Sequence, residues 1–231
     1  MSSITGAAGF IGSATTKELI TNGHEVTGLA RNDANVETIE KLGAKVHRGD
    51  LNDLESLKAG AKDADGVIHC AFITTTSPNS RRTARSTSAP SKRWAACSKA
   101  RTSLSSSTSG TGLIAPGVTV TEDMRREASE FVPRVSEQTG LAYAARGVRA
   151  MAMRLPQVHG EPGKAGLISY LVEAARQKGV ATYVGEGKER WAAAHRTDVA
   201  LLYRLALKKA PRTESIMPSE RKACPCARSS K

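Results

Sequence analysis

The chain has 231 residues, 39% of them hydrophobic, which is enough to bury a sizeable core as one principal domain. Its net charge of +12 is concentrated in two places: seven basic and no acidic residues between Gly66 and Thr121, and a net +3 from Arg212 to Lys231, leaving +2 for everything else. No apolar run approaches the roughly 20 residues needed to span a bilayer, and Met1-Ser2-Ser3-Ile4-Thr5 lacks the basic and apolar regions of a signal peptide, so a cytoplasmic protein is expected.

At the N-terminus a short apolar stretch leads into Ile4-Thr5-Gly6-Ala7-Ala8-Gly9-Phe10-Ile11-Gly12-Ser13, followed by an amphipathic run from Phe10 to Ile20. In a GxxGxxG turn of this kind one glycine takes a backbone angle that a side chain obstructs. A second lets a pyrophosphate approach the main chain, and a third lets helix pack on strand. The helix N-terminus then offers unpaired N–H groups and a positive dipole end to the phosphates. By itself the pattern also fits a tight turn opening a helix, and its context as a strand-turn-helix favours the dinucleotide.

Glu25 to Leu29 reads as a second strand, and Val36, Ile39 and Leu42 fall at helical spacing after the capping residues Asn32 and Asp33. Ala44 to His47 is a third strand, Leu51, Leu54, Leu57 and Ala61 mark a helix, and Gly66 to Ala71 is a fourth strand. Further along, Val148 to Arg154 reads as a buried strand, Ile168, Leu171, Val172 and Ala175 as a helix, Ala181 to Val184 as a short strand, and Val199, Leu202 and Leu205 as a closing helix. Strands alternating with helices at this spacing predict a parallel, doubly wound α/β sheet.

The stretch from Thr74 to Ser107 breaks this regularity. It is rich in Ser, Arg and Thr and has no apolar period, where a doubly wound fold needs a helix and its central fifth strand. Ser103-Leu104-Ser105-Ser106-Ser107 reads as a poor central strand for a sheet buried on both faces. Back-translated with GC-rich codons and reread two nucleotides on, Arg81 to Ser107 can encode an amphipathic helix and an apolar strand leading into Thr108. The same offset from Glu214 gives a second plausible continuation. Both segments are therefore read as products of frame changes, against the competing reading of a disordered basic insertion and tail. With Trp94 their lone aromatic between Pro78 and Ser107, a nucleic-acid partner is not expected. Cys70, Cys97, Cys224 and Cys226 are too few and too uneven for a disulfide framework or a zinc site, and read as free thiols with no metal.

Taken together, Thr5-Gly6-Ala7-Ala8-Gly9-Phe10-Ile11-Gly12, Gly49-Asp50-Leu51, Asp65 to Ala71, Arg154-Leu155-Pro156-Gln157-Val158-His159-Gly160, Val184-Gly185-Glu186-Gly187 and His195 to Ala200 resemble the extended and atypical short-chain dehydrogenase/reductases of the NAD(P)-dependent epimerase/dehydratase type. The resemblance covers residues 1 to 73 and about 108 to 211. It implies a Rossmann-type doubly wound parallel sheet with a truncated C-terminal substrate lobe. The divisions are a dinucleotide-binding domain over 1–160 with an anomalous segment at 74–107, a partial substrate lobe and closing helix over 161–211, and an anomalous tail over 212–231.

By the same resemblance the cofactor is held by Gly6, Gly9, Phe10, Ile11 and Gly12, with Asp50 and Leu51 bordering the adenine, Ala71 along the cofactor, and Pro156 and Val158 near the nicotinamide. Asp50 reads equally as a helix cap. At the end of the second strand, where an NAD site places a carboxylate, the chain has Ala30-Arg31, and the Arg31 cation favours the 2′-phosphate of NADP over NAD, a solvated surface arginine being the alternative.

Thr108-Ser109-Gly110-Thr111-Gly112 matches the family's catalytic hydroxyl, with Ser109 or Thr111 in the role, but no YxxxK pair occurs in the sequence. His159 stands where the family often has Tyr and reads either as an acid/base or as a locally packed residue. His195 and Asp198 read as shaping the substrate side and capping the closing helix. The resemblance thus implies an oxidoreductase exchanging hydride with a small hydroxyl or carbonyl substrate, its proton relay incomplete, with a homodimer left open. A non-catalytic dinucleotide sensor is the alternative function.

Overall fold

The computed structural model describes residues 1–71, 104–114, 118–125, 136–160, 166–183, 185–188, 190–209, 214–217 and 224–225. Most of the segment from Thr74 to Ser107, and most of the tail, lie outside these residues.

Seven parallel strands form one sheet: β1 (Ser2–Thr5), β2 (Val26–Ala30), β3 (Lys45–Arg48), β4 (Gly66–His69), β5 (Leu104–Gly110), β6 (Arg149–Leu155) and, after several shorter elements, β10 (Glu214–Ile216). Their order is β10-β6-β5-β4-β1-β2-β3. Chain order reverses direction after β3, when the chain crosses over β1 to β4, and this reversal creates a crevice at the carboxyl ends of the central strands.

Helices cover both faces. On one face α1 (Phe10–Thr21), α2 (Asp33–Lys41) and α6 (Arg196–Lys209) contribute Leu19, Ile39, Val199 and Tyr203 to a core with Ile4, Ile68, Leu104, Met151 and Met153. On the other, α3 (Leu54–Ala61) supplies Leu57 and Ala61 to a second cluster with Leu29 and Val67. Adjacent Val67 and Ile68 enter opposite clusters because successive strand residues point to opposite faces. The fourth helix, α4 (Ser136–Ala142), packs on β5 and β6.

Caps fall where the sequence places them at α2, whose Asn32 Oδ1 accepts from the Asn35 N–H at 3.0 Å. At α3 the cap is Asp53, accepting from Glu55 and Ser56, so Asp50 is not that helix's cap. Asp50 instead accepts from the backbone and side chain of Asn52, closing a local turn.

Two expectations are corrected. The central fifth strand is present: Leu104, Ser105, Ser106 and Ser107 pair with Gly66 to His69 on one side and Arg149 to Ala152 on the other, all four buried. Backbone pairing to two neighbours satisfies the ladder whatever the side chains, so a serine run is accepted at the expense of apolar packing. Conversely, residues 181–183 form no strand. The strands in that region are β7 (Gln157–His159), β8 (Arg190–Trp191), β9 (Ala193–His195) and β11 (Cys224–Pro225), with β7 parallel to β9 and β8 antiparallel to β11.

The helix expected around Ile168 forms as α5 (Leu167–Lys178), yet none of its residues is buried. No helix among the described residues is long and apolar enough to cross a membrane.

Candidate functional site

The glycine turn joins β1 to α1 at the carboxyl edge of the sheet. Gly6 has φ of +72°, and a Cβ there would stand 2.8 Å from the Ala71 nitrogen, so both conformation and the approach of the β4 end require glycine. A Cβ on Gly12 would collide with the Gly6 carbonyl, so the third glycine lets α1 sit down on the turn. Gly9 is the N-cap of α1 and makes no side-chain cap, leaving the helix start open to an anion.

Around this turn lies a cleft of about 1310 Å³. Gly6, Gly9, Phe10, Ile11, Gly12, Arg31, Asp50, Leu51, Ala71, Pro156 and Val158 all line it, as do Ser109 and Thr111. These residues come from β1–α1, the ends of β2, β3 and β4, the end of β5 and the β6–β7 junction. Arg31 forms no ion pair among the described residues, and the nearby Arg48 pairs with Asp33 at 2.5 Å. The end of β2 therefore presents a cation, while Asp33 on the following helix is engaged by Arg48.

His159 does not line the cleft. Register pairs it with His195 across β7 and β9, and the two rings meet edge to face, centroids 5.4 Å apart. His195 in turn accepts from the Thr197 N–H at 3.4 Å and shares a 2.7 Å hydrogen bond with its hydroxyl, at the start of α6. The first turn of α6 carries Asp198.

Beneath the floor is a buried polar group. Thr108 Oγ1 donates to the His69 carbonyl at 2.7 Å and lies 2.7 Å from the Tyr203 hydroxyl and 3.9 Å from the Cys70 Sγ. Burial pushes the Cys70 thiol up to about 11 and the Tyr203 hydroxyl well above its ordinary value, so both stay protonated. His69 Nδ1 lies 2.7 Å from Thr5 Oγ1, and burial lowers this imidazole to about 4, keeping it neutral.

Arg154 on β6 is fully buried, and its guanidinium donates to both Glu137 oxygens, to the Thr121 and Glu122 carbonyls at 3.1 and 3.2 Å and to the Met124 carbonyl. One side chain thus ties β6, α4 and the 121–125 segment together, and its backbone is the register partner of Ser109.

Among the described lining residues there is neither Tyr nor Lys. Of Pro133 to Glu137, about where the family's pair would fall, residues 133–135 lie outside the described ones, while Ser136 and Glu137 open α4 and Glu137 is held by Arg154. Nor do the described residues hold a group of three or more His, Cys, Asp or Glu able to bind a metal. The sequence reading missed Asn35, Gly49, Cys70, Gly166, Arg190 and Trp191, which also line the cleft. Asn35 was findable as the residue one turn into the helix after Arg31. Arg190 and Trp191 were not, because their place depends on β9 pairing with β7.

Comparison with known proteins agrees with this architecture. The model of the family described as "NAD dependent epimerase/dehydratase family" matches residues 3–216. The uncharacterized protein YLL056C of Saccharomyces cerevisiae is 41% identical over 210 residues, covering 89% of this chain and 70% of that protein. Uncharacterized protein C2A9.02 of Schizosaccharomyces pombe is 38% identical over 211 residues, with the same coverage of 89% and 70%. Among solved structures, a dTDP-glucose 4,6-dehydratase, DesIV, from Streptomyces venezuelae with NAD bound superposes with a TM-score of 0.80 at 18% identity, covering 99% of this chain and 78% of that one. The chain belongs to the NAD dependent epimerase/dehydratase family.

Proposed function

We propose that the chain binds a nicotinamide dinucleotide, NADP in preference to NAD, and serves hydride exchange at a hydroxyl or carbonyl carbon of a small molecule. The observation that carries this reading is the convergence of all eleven expected cofactor residues, from separate segments, on one cleft. The cradle fits the group: a positive-φ glycine, a glycine-packed helix start and an arginine at the second strand with no ion pair among the described residues match a diphosphate and a 2′-phosphate.

When bound, the nicotinamide supplies or accepts hydride. Pro156 and Val158 would border its ring, Leu51 and Asp50 the adenine, and Arg31 the 2′-phosphate. Ser109 and Thr111, at the end of β5, would hold the substrate oxygen by hydrogen bonds. The 161–211 region would contribute part of a substrate lobe.

A second reading, dinucleotide binding without turnover, is favoured by the lack of Tyr and Lys among the described lining residues. Thermal melting separates the possibilities. A rise in melting temperature with NADPH that exceeds the rise with NADH supports the cofactor reading, and Arg31→Ala is expected to narrow the difference by about tenfold in affinity. Equal, null responses to both cofactors would overturn it. Absence of hydride exchange across a carbonyl panel, with NADPH bound, would favour the sensor.

A further inference from the structure

Charges of both signs meet at the end of β2. Arg31 directly follows that strand, lines the cleft and forms no ion pair among the described residues. Asp33 comes two residues later, as the first residue of α2. Consecutive Cα atoms stand about 3.8 Å apart, so the Arg31 and Asp33 backbones are separated by no more than about 7.6 Å. An acid is therefore tethered beside the cation proposed to take the 2′-phosphate.

The neighbouring strand occupies that acid. β2 and β3 run parallel with Ala30 in register with Arg48, so Arg48, the last residue of β3, stands beside the end of β2. Its Nη2 donates to Asp33 Oδ1 at 2.5 Å. Asn32, between Arg31 and Asp33 in the chain, is engaged as well, its Oδ1 capping α2 through the Asn35 N–H. Neither Arg48 nor Asp33 lines the cleft, so the pair acts there by charge rather than by contact. With side chains 63% and 91% exposed, it contributes little to folding. A phosphate dianion about one screening length away still responds to whether the carboxylate is neutralised.

We propose that Arg48 is a positioning residue for cofactor choice: by holding Asp33 in an ion pair it removes a competing acid and leaves Arg31 to the 2′-phosphate of NADP. Released from Arg48, Asp33 would pair with Arg31 or repel the phosphate, and either weakens the same ligand. This role of Arg48 rests on the NADP reading above and adds to it a residue that does not touch the cofactor.

The test is isothermal titration of the full chain with adenosine 2′,5′-bisphosphate and with adenosine 5′-monophosphate, two probes that differ only in the 2′-phosphate. The quantity read is the ratio of their affinities. Arg48→Gln should lower that ratio about threefold, Asp33→Asn should leave it at or above the parent value, and the double variant Asp33→Asn with Arg48→Gln should return it to the parent value. Arg48→Lys, which keeps the charge, should behave like the parent. All of these change exposed side chains and should melt like the parent. At about 1 M salt, where the screening length falls to about 3 Å, the differences among the variants should close. A double variant as weak as Arg48→Gln would mean that Arg48 binds the phosphate itself, and would overturn the proposal. A parent that prefers the bisphosphate, with Arg48→Gln unchanged, would remove this role alone and leave the NADP reading standing. A parent that binds both probes alike would overturn the NADP reading and this role with it.

Discussion

The two sides of the sheet solve burial differently. Around β1, β2 and β4 the interior is mostly apolar, with Ile4, Leu29, Val67 and Ile68 all buried, Leu57 and Ala61 closing one face and Leu19 and Ile39 the other. Around β5 the interior includes Ser105, Ser106, Ser107, Glu137, Thr139 and Arg154, all buried. On the first side, side chains stabilise by leaving water. On the second, Leu104, Met151 and Met153 still reach the apolar core, and beside them a serine run is held by backbone pairing and one buried ion pair is held with its carbonyl partners. Regular sheet geometry therefore does not imply equal local stability.

Breaking the ion pair should expose this contrast most strongly. Arg154→Met leaves Glu137 buried without its cation and is expected to cost about 3–5 kcal/mol in chemical denaturation. The double variant Arg154→Met with Glu137→Leu should recover most of that loss, and a double variant as unstable as the single would show that packing, rather than charge, holds the site.

On the apolar side the largest expected effect is one of pH. His69 is neutral in the fold because burial lowers it to about 4 from an ordinary 6.5. Between these values the unfolded chain binds the proton first, so stability falls as pH drops from about 6.5 towards about 4, by about 3 kcal/mol in total. Urea denaturation across that window should show the slope, and His69→Asn should flatten it.

Smaller effects sharpen the comparison. Ser106 Oγ is buried with no hydrogen-bond partner among the described residues, so Ser106→Ala should stabilise by about 1 kcal/mol. An unchanged or lowered melting temperature would mean that the hydroxyl is satisfied. On α5, Leu167, Ile168, Leu171 and Val172 are 41–52% exposed, so Leu171→Glu should change stability by less than about 0.5 kcal/mol. A loss of several times that size would reveal a packing partner for this helix.

Most of the N-terminal half of the sheet was legible because its signals are local. The turn needs Gly6 and Gly12 for reasons of conformation and approach, Asn32 caps its helix from three residues away, and the apolar spacing of Val36 and Ile39 repeats within one element. Asp50 and Asp53 illustrate the limit of such reading. Both can cap, and the chain uses Asp53, since the turn at Asp50 is closed by Asn52.

Long-range pairing could not be read in the same way. His159, standing where the family often has Tyr, fits either an acid/base or a locally packed residue, and β7–β9 register puts it against His195 and away from the cleft lining. Residues 181–183 have strand-forming composition and yet form no strand.

The amino-acid sequence alone determined the strand-helix alternation and the glycine turn, because each depends on backbone sterics or on apolar period within a few residues. Tertiary structure decided that a serine-rich stretch serves as the central strand, that Arg154 is buried against Glu137, and that Trp191 reaches the cleft. Those outcomes depend on partners 17 to 45 residues distant in the chain, such as Glu137 for Arg154 and Arg149 for Leu104, and no local preference encodes them.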